Sequence, residues 1–153
     1  MIVSTIARRR YLRGLADLER RDIDALLAQF DERCRFIFVS SKTPMGADLH
    51  SKEAVRSWFE RLHRLLPNPR FDVKELVISG WPWDLRLAAR VVIHSTVVGK
   101  PYSNNFAQFI RLRLGRVVSD FVLEDTQRFE QACAELVAAG VEEAAAGPIR
   151  DAN

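Results

Sequence analysis

Residues 102–127, YSNNFAQFIRLRLGRVVSDFVLEDTQ, constrain the fold more than any other stretch, because they spell two long antiparallel strands running into a helix. In the first strand Tyr102, Asn104, Phe106, Gln108, Ile110, Leu112 and Leu114 alternate with Ser103, Asn105, Ala107, Phe109, Arg111 and Arg113, so that one face can be core. A turn at Gly115 and Arg116 follows, and residues 117–124 return with residue types that suit a half-buried pleated surface. Asn104 and Gln108 interrupt the apolar face. A buried amide without a partner is costly, so these two either meet buried partners or line a cavity. Two further strand runs precede the pair: residues 71–79, then the turn GWPWD, residues 85–98 and a tight turn at Gly99 and Lys100. The result is a four-stranded meander.

Upstream the periodicity is helical. Residues 4–20 carry Leu12, Leu15 and Leu18 beside Tyr11 as an apolar stripe, and Arg21 and Asp22 end it. Asp22 caps a short second helix with Ile23, Leu26, Leu27 and Phe30 at helical spacing. Residues 34–40 read as a strand in which Phe36, Ile37, Phe38 and Val39 imply burial on both faces or a bulge. The loop SKTPMGAD, with Pro44 and Gly46, is a rim or lid. Ser51 caps a third helix whose Val55, Trp58, Phe59, Leu62, Leu65 and Leu66 form a broad apolar face. Asp125 or Thr126 caps a last helix reaching about Ala139. Helices first and antiparallel strands last make this an α+β chain with the sheet bent over the helices.

At 153 residues and 48% hydrophobic content the chain suffices for one domain and not for two. That domain is expected over residues 1–140, with residues 141–153 a frayed tail. There is no run of eighteen apolar residues, and MIVSTIARRR places its charges after a short apolar stretch, the reverse of a secretory signal. A soluble, cytoplasmic protein with no membrane partner is expected. Cys34 and Cys133 lack any CxxC or Cys/His context and read as small buried hydrophobes, so neither a metal nor a cofactor is expected. The formal charge of +3 comes from 23 basic and 20 acidic residues spread along the chain. The densest run, Arg8, Arg9, Arg10 and Arg13, reads as a solvated helix face with no nucleic-acid motif after it.

The order helix, helix, strand, helix, four strands is that of the cone-shaped fold of nuclear transport factor 2. The words ERRDIDALLAQF, KEAVRSWFERL, WPWDLRLAARV and YSNNFAQFIRLRLGRVVSDFVLEDTQRF resemble the SnoaL-like branch of that superfamily, related to polyketide cyclases, ketosteroid isomerases and limonene epoxide hydrolases. The resemblance covers about residues 8–132. It implies an apolar pocket between curved sheet and helices, a small hydrophobic ligand, and a homodimer through the outer face of the sheet. It does not carry over the known catalytic sets. The isomerase tyrosine and general-base aspartate fall on Gly14 and about Phe38, and the second oxyanion-hole acid falls near Gln108. Of the epoxide hydrolase set Arg90 is present, but its partners fall on Val92 and about Val122.

By the same resemblance the face of residues 85–98 that bears Arg86, Ala88, Arg90, Val92 and His94 is the pocket face. His94 is then the surviving general base, since a nearby arginine favours neutral imidazole, with Arg90 and Gln108 steadying an enolate-like oxygen and Asn104 orienting the ligand. Tyr102, Trp58, Phe36 and Phe38 complete the expected ligand-binding set. On the bland alternative Asn104 ties a loop, Gln108 bridges to a neighbour, and Arg90 pairs with Asp84 or Glu75. Asp120 and Glu124 alternate with Phe121 and Leu123 and are expected to face solvent or a dimer partner. Asp125 reads as a helix cap, His63 and His50 as helix-flank and loop residues, and Trp81 and Trp83 as core or pocket wall. Two functions follow: a cofactor-independent isomerase, cyclase or hydrolase acting by proton transfer on a small hydrophobic substrate, or a non-catalytic ligand-binding or dimerisation module.

Overall fold

Three helices begin where a capping side chain was expected, in a computed structural model that describes residues 2–152. Asp22 accepts from the Ala25 N–H to start α2 (Ile23–Leu27), Ser51 accepts from Ala54 to start α3 (Lys52–Leu65), and Asp125 accepts from Arg128 to start α4 (Thr126–Ala138). Each oxygen satisfies one of the orphan amides of a first turn. Ser51→Ala should therefore cost about 1 kcal/mol in urea unfolding. The first helix, α1 (Ile2–Glu19), ends at Arg21, which takes a left-handed φ of 62°.

The strands are β1 (Phe30–Phe38), β2 (Ala47–Leu49), β3 (Arg70–Trp81), β4 (Asp84–Val97), β5 (Lys100–Arg113) and β6 (Arg116–Glu124). They form one sheet in the order β2-β1-β6-β5-β4-β3, antiparallel except where β1 runs parallel to β6. The expected meander is β3 to β6. Phe30, expected on the second helix, is instead the first residue of β1, and Val39 lies beyond that strand's end, exposed. Three-residue β2 is too short to leave a periodic signal. The sheet curves over α1 and α3, and Val55, Trp58, Phe59, Leu62, Leu65 and Leu66 of the third helix region are all buried against it.

Alternation decides which strand faces form the core. On β4 the apolar set Leu85, Leu87, Ala89, Val91, Ile93 and Val97 is buried, paired across to Leu112, Ile110, Gln108, Phe106, Asn104 and Lys100 of β5. On β6 the alternation breaks once. Arg111 pairs with Ser119 but Leu112 pairs with Val117, leaving Val118 as one extra residue, a β-bulge. The bulge changes the phase of the strand, so that Val117 lies inside and Asp120 and Val122 are inside as well.

The loop before β2 is fastened rather than free: Trp58 Nε1 donates to the Met45 carbonyl at 2.7 Å, and Arg61 donates to the Pro44 carbonyl at 2.8 Å. The segment after α4 also makes contacts of its own. Glu143 accepts from Arg61 and Arg64, and the Asp151 carboxylate accepts from the His50 N–H and the Ser51 hydroxyl.

Candidate functional site

Between the sheet and α1 and α3 lie two adjoining lobes of a cavity, of about 80 and 70 Å³. Leu15, Leu18, Phe59 and Gln108 line both. The outer lobe runs along α1, past Ala7, Arg10, Tyr11 and Gly14, and ends on Asp120. The deep lobe has a wall of rings, among them Phe36, Phe38, Trp58, Phe106 and Phe129, and one carboxylate, Glu124. Trp58 holds that wall together, with its ring centroid 4.7 Å from Phe36, 5.1 Å from Phe38 and 5.2 Å from Phe59.

The polar groups form a short relay. The Tyr11 hydroxyl donates to Gln108 Oε1 at 2.9 Å, and Gln108 Nε2 donates to both Asp120 oxygens at 2.9 Å. Burial pushes the Asp120 carboxyl up to about 7, an effect that the Gln108 hydrogen bond reduces. It also raises the Tyr11 phenol, with the Asp120 charge adding to the shift, so Tyr11 stays a neutral donor. Glu124 is pushed up to about 8, by burial first and by the adjacent Asp125 charge second. One Glu124 oxygen accepts from Asn104 Nδ2 at 3.3 Å, while Oε1 is buried without a protein partner. A carboxyl that changes protonation near neutral pH in an apolar cavity suits general acid–base work, and a free oxygen there can take a proton from a bound molecule or give one.

The residues expected at the site fall into three groups. Gln108, Trp58, Phe36 and Phe38 line the cavity. Asn104 and Tyr102 are buried behind Glu124: the Asn104 amide donates to the carboxylate, to the Tyr102 oxygen and to the Asp125 carbonyl, so that the pair positions the acid. Arg90 and His94 are on the other side of the sheet. Their Cα partners on β5 are Ala107 and Ser103, both outward-facing, and Arg90 pairs with Glu75 at 3.4 Å in solvent. The expected pocket face of β4 is thus corrected, and His94 and Arg90 cannot reach a molecule held with Gln108. Burying an arginine with no carboxylate to meet it is far costlier than burying Leu87, Ala89 and Val91, and the apolar set wins.

Asp120 and Glu124 require the opposite correction. Expected outside, they point inward because the Val118 bulge puts Asp120, Val122 and Glu124 on the same face as Val117. Plain alternation from Val117 misses this, and so does the register of the turn, which without the bulge would set Gln108 opposite Phe121 and not opposite Val122. Tyr11 was also missed. It sits three residues before Gly14, on the same side of α1, and so delivers a phenol into the hollow from one turn away. His63, expected at a helix flank, is buried with Nε2 2.7 Å from the Leu18 carbonyl. Trp81 and Trp83, expected as core or pocket wall, are exposed. Among the described residues no group of three or more His, Cys, Asp or Glu stands ready to hold a metal.

The sequence matches the SnoaL-like domain over residues 9–120. Among solved structures it is similar to PrhC from Penicillium brasilianum, with a TM-score of 0.74 at 17% identity over 89% of this chain and 93% of that one. A candidate polyketide cyclase from Xanthomonas campestris superposes with a TM-score of 0.60 at 15% identity, covering 82% and 95%. A protein of ketosteroid isomerase-like fold from Catenulispora acidiphila, solved with trimethylamine, gives 0.60 at 17%, covering 74% and 83%. At these identities the likeness is one of fold. A search of curated proteins finds no match.

Proposed function

Given that the chain belongs to the SnoaL-like domain family, we propose that it binds a small, mostly apolar molecule in the two-lobed hollow and transfers a proton there with residues of its own. The observation that carries this is Glu124, an acid with one unpartnered buried oxygen, set in an aromatic wall and titrating at about 8. In this mechanism Glu124 is the group that exchanges a proton with the ligand. On the other side of the same space Asp120 holds Gln108 and Gln108 holds the Tyr11 hydroxyl, the neutral donor that turns to a ligand oxygen on which charge develops. Only together do the lobes, at about 80 and 70 Å³, match the volume of a cavity that admits one benzene molecule, so a compact ring spanning both is the class of ligand that fits.

The test is exchange from D2O into a panel of small enolisable cyclic ketones, followed by proton NMR. The wild type is expected to label at least one of them, with a rate that rises as pH passes through 8 because the base must be ionised. Glu124→Gln should slow labelling by about a hundredfold or more. His94→Ala and Arg90→Ala should leave it unchanged. If His94→Ala abolished labelling while Glu124→Gln did not, the assignment would be wrong; absence of both labelling and thermal stabilisation across the panel would remove the pocket proposal.

The outer face of β3 to β6 supports a second proposal. Val77, Phe109 and Leu123 are exposed there, with Phe121 6.4 Å from Phe109 ring to ring. We propose that this face pairs two copies of the chain. Sedimentation should show a dimer, and Phe109→Lys a monomer; a wild type that sediments as a monomer would refute it.

A further inference from the structure

We propose that the turn end of the sheet, together with the first half of α1, is a docking surface for an anionic lipid bilayer. The charge of this chain is nearly balanced overall but unevenly placed. Residues 1–13, 81–86 and 111–116 hold eight arginines against one aspartate, a formal +7, while the rest of the chain has 15 basic and 19 acidic residues, a formal −4. The single aspartate, Asp84, is already occupied by a two-pronged pair with Arg111 at 2.8 and 2.7 Å.

The fold brings these three stretches together. Strand pairing places Trp81 opposite Asp84, Asp84 opposite Arg113, and Arg113 opposite Arg116, so the β3–β4 and β5–β6 turns sit side by side. The Leu114 N–H donates to the Trp83 carbonyl at 3.0 Å, joining them. Arg10 lies against the second turn, since a Cβ on Gly115 would stand 2.9 Å from its guanidinium. At its other end α1 packs on the start of β3, where Glu19 accepts from the Phe71 N–H. The helix therefore runs out past the turns, carrying Ile6 and Ile2 about 6 and 12 Å beyond Arg10 along its axis.

This end also exposes five large apolar side chains. Leu114 is 84% exposed, Ile2 77%, Trp81 69%, Trp83 58% and Ile6 51%. Ile2, Ile6, Arg9 and Arg13 share one exposed stripe of α1. Tryptophan and arginine beside bulky aliphatics is the composition of a bilayer interface: the rings sit at headgroup level, the aliphatics enter the acyl boundary, and each cation meets an anionic headgroup. A nucleic acid would leave Ile2, Ile6 and Leu114 without a role. The two indoles are also stacked on each other, 10° from parallel at 5.7 Å, rather than splayed to receive bases.

The surface departs from the sequence expectation that no membrane partner exists, and it concerns peripheral contact: among the described residues no helix is long and apolar enough to cross a membrane. Docking does not depend on what the cavity does. Arg10 nevertheless belongs to both the patch and the outer lobe, so the docked face adjoins the space that would receive an apolar molecule.

The experiment is co-sedimentation of the full chain with vesicles of phosphatidylcholine alone or with a third phosphatidylglycerol, combined with tryptophan emission. At about 0.05 M salt the bound fraction on anionic vesicles should exceed that on neutral ones by about tenfold or more, with a blue shift in emission, and should fall away at about 0.5 M. Arg113→Glu with Arg116→Glu, and separately Trp81→Ser with Trp83→Ser, should each weaken binding about tenfold while leaving the melting temperature close to that of the wild type. Equal retention on both vesicle types, or none, would overturn the proposal. So would tighter binding to an oligonucleotide than to the vesicles, or a Trp81→Ser/Trp83→Ser protein that changes only from dimer to monomer.

Discussion

Asp120→Asn and Glu124→Gln are expected to make the protein more stable at pH 8 while making it inactive. Burial holds the Asp120 proton up to about pH 7 in the folded protein, and the unfolded chain releases it near pH 4. The stability this group contributes is therefore complete below about pH 4, declines as pH rises between the two values, and is gone above about 7. Glu124 does the same over an interval ending near 8. A shift of this size corresponds to roughly 4 kcal/mol per group as an upper figure. Urea unfolding at pH 4 and pH 8 should show the wild type losing several kcal/mol, and each amide variant losing less. At pH 8 either variant should gain about 2–4 kcal/mol, because a buried amide costs less than a buried carboxylate. A wild type equally stable at both pH values would show that neither acid is desolvated. Gain of stability with loss of proton exchange is what a site kept for its chemistry predicts.

Trp58→Ala should be the most damaging single substitution, at about 3–5 kcal/mol. The indole is buried among Phe36, Phe38 and Phe59, and its N–H holds the Met45 carbonyl that fastens the loop before β2. Truncation would remove the packing, leave that carbonyl without its donor and release the loop. Trp81→Ala and Trp83→Ala, of the same chemistry but in solvent, should each stay within about 0.5 kcal/mol. Equal losses at positions 58 and 81 would mean that the aromatic wall is not as packed as its ring distances indicate.

The architecture was largely legible in the sequence, because caps, turns and alternation are local. Asp22, Ser51 and Asp125 announced three helices, and the apolar face of α3 announced what the sheet would cover. The wall residues Phe36, Phe38 and Trp58 and the amide Gln108 were also legible, as a bulky apolar face and as a polar interruption of one. What was not legible was the facing of two strands. On β4 the resemblance argued for the Arg90 face and the apolar pattern argued for the other, and solvation energy settles that contest in favour of the pattern. On β6 the phase turns on a bulge, which no single residue type announces. Tyr102 and Asn104 lie between success and failure: they are on the inward face, as expected, yet they support Glu124 instead of touching the hollow.

Val118 has a consequence out of proportion to its chemistry. It is an extra residue that the ladder steps over: opposite Leu112 the strand carries Val117, and opposite Arg111 and Ile110 it carries Ser119 and Asp120. Were Val118 instead to take a place in the ladder, plain alternation from Val117 would send Asp120 and Glu124 into water and draw Phe121 and Leu123 inward, with every acid retained. Deleting Val118 would leave Asp120 opposite Ile110, and so still inside. A relative could therefore carry both carboxylates in a strand of equal length and have no acidic chamber, simply by lacking the bulge. Within this fold, how the last strand pairs is as informative about chemistry as the identity of its residues.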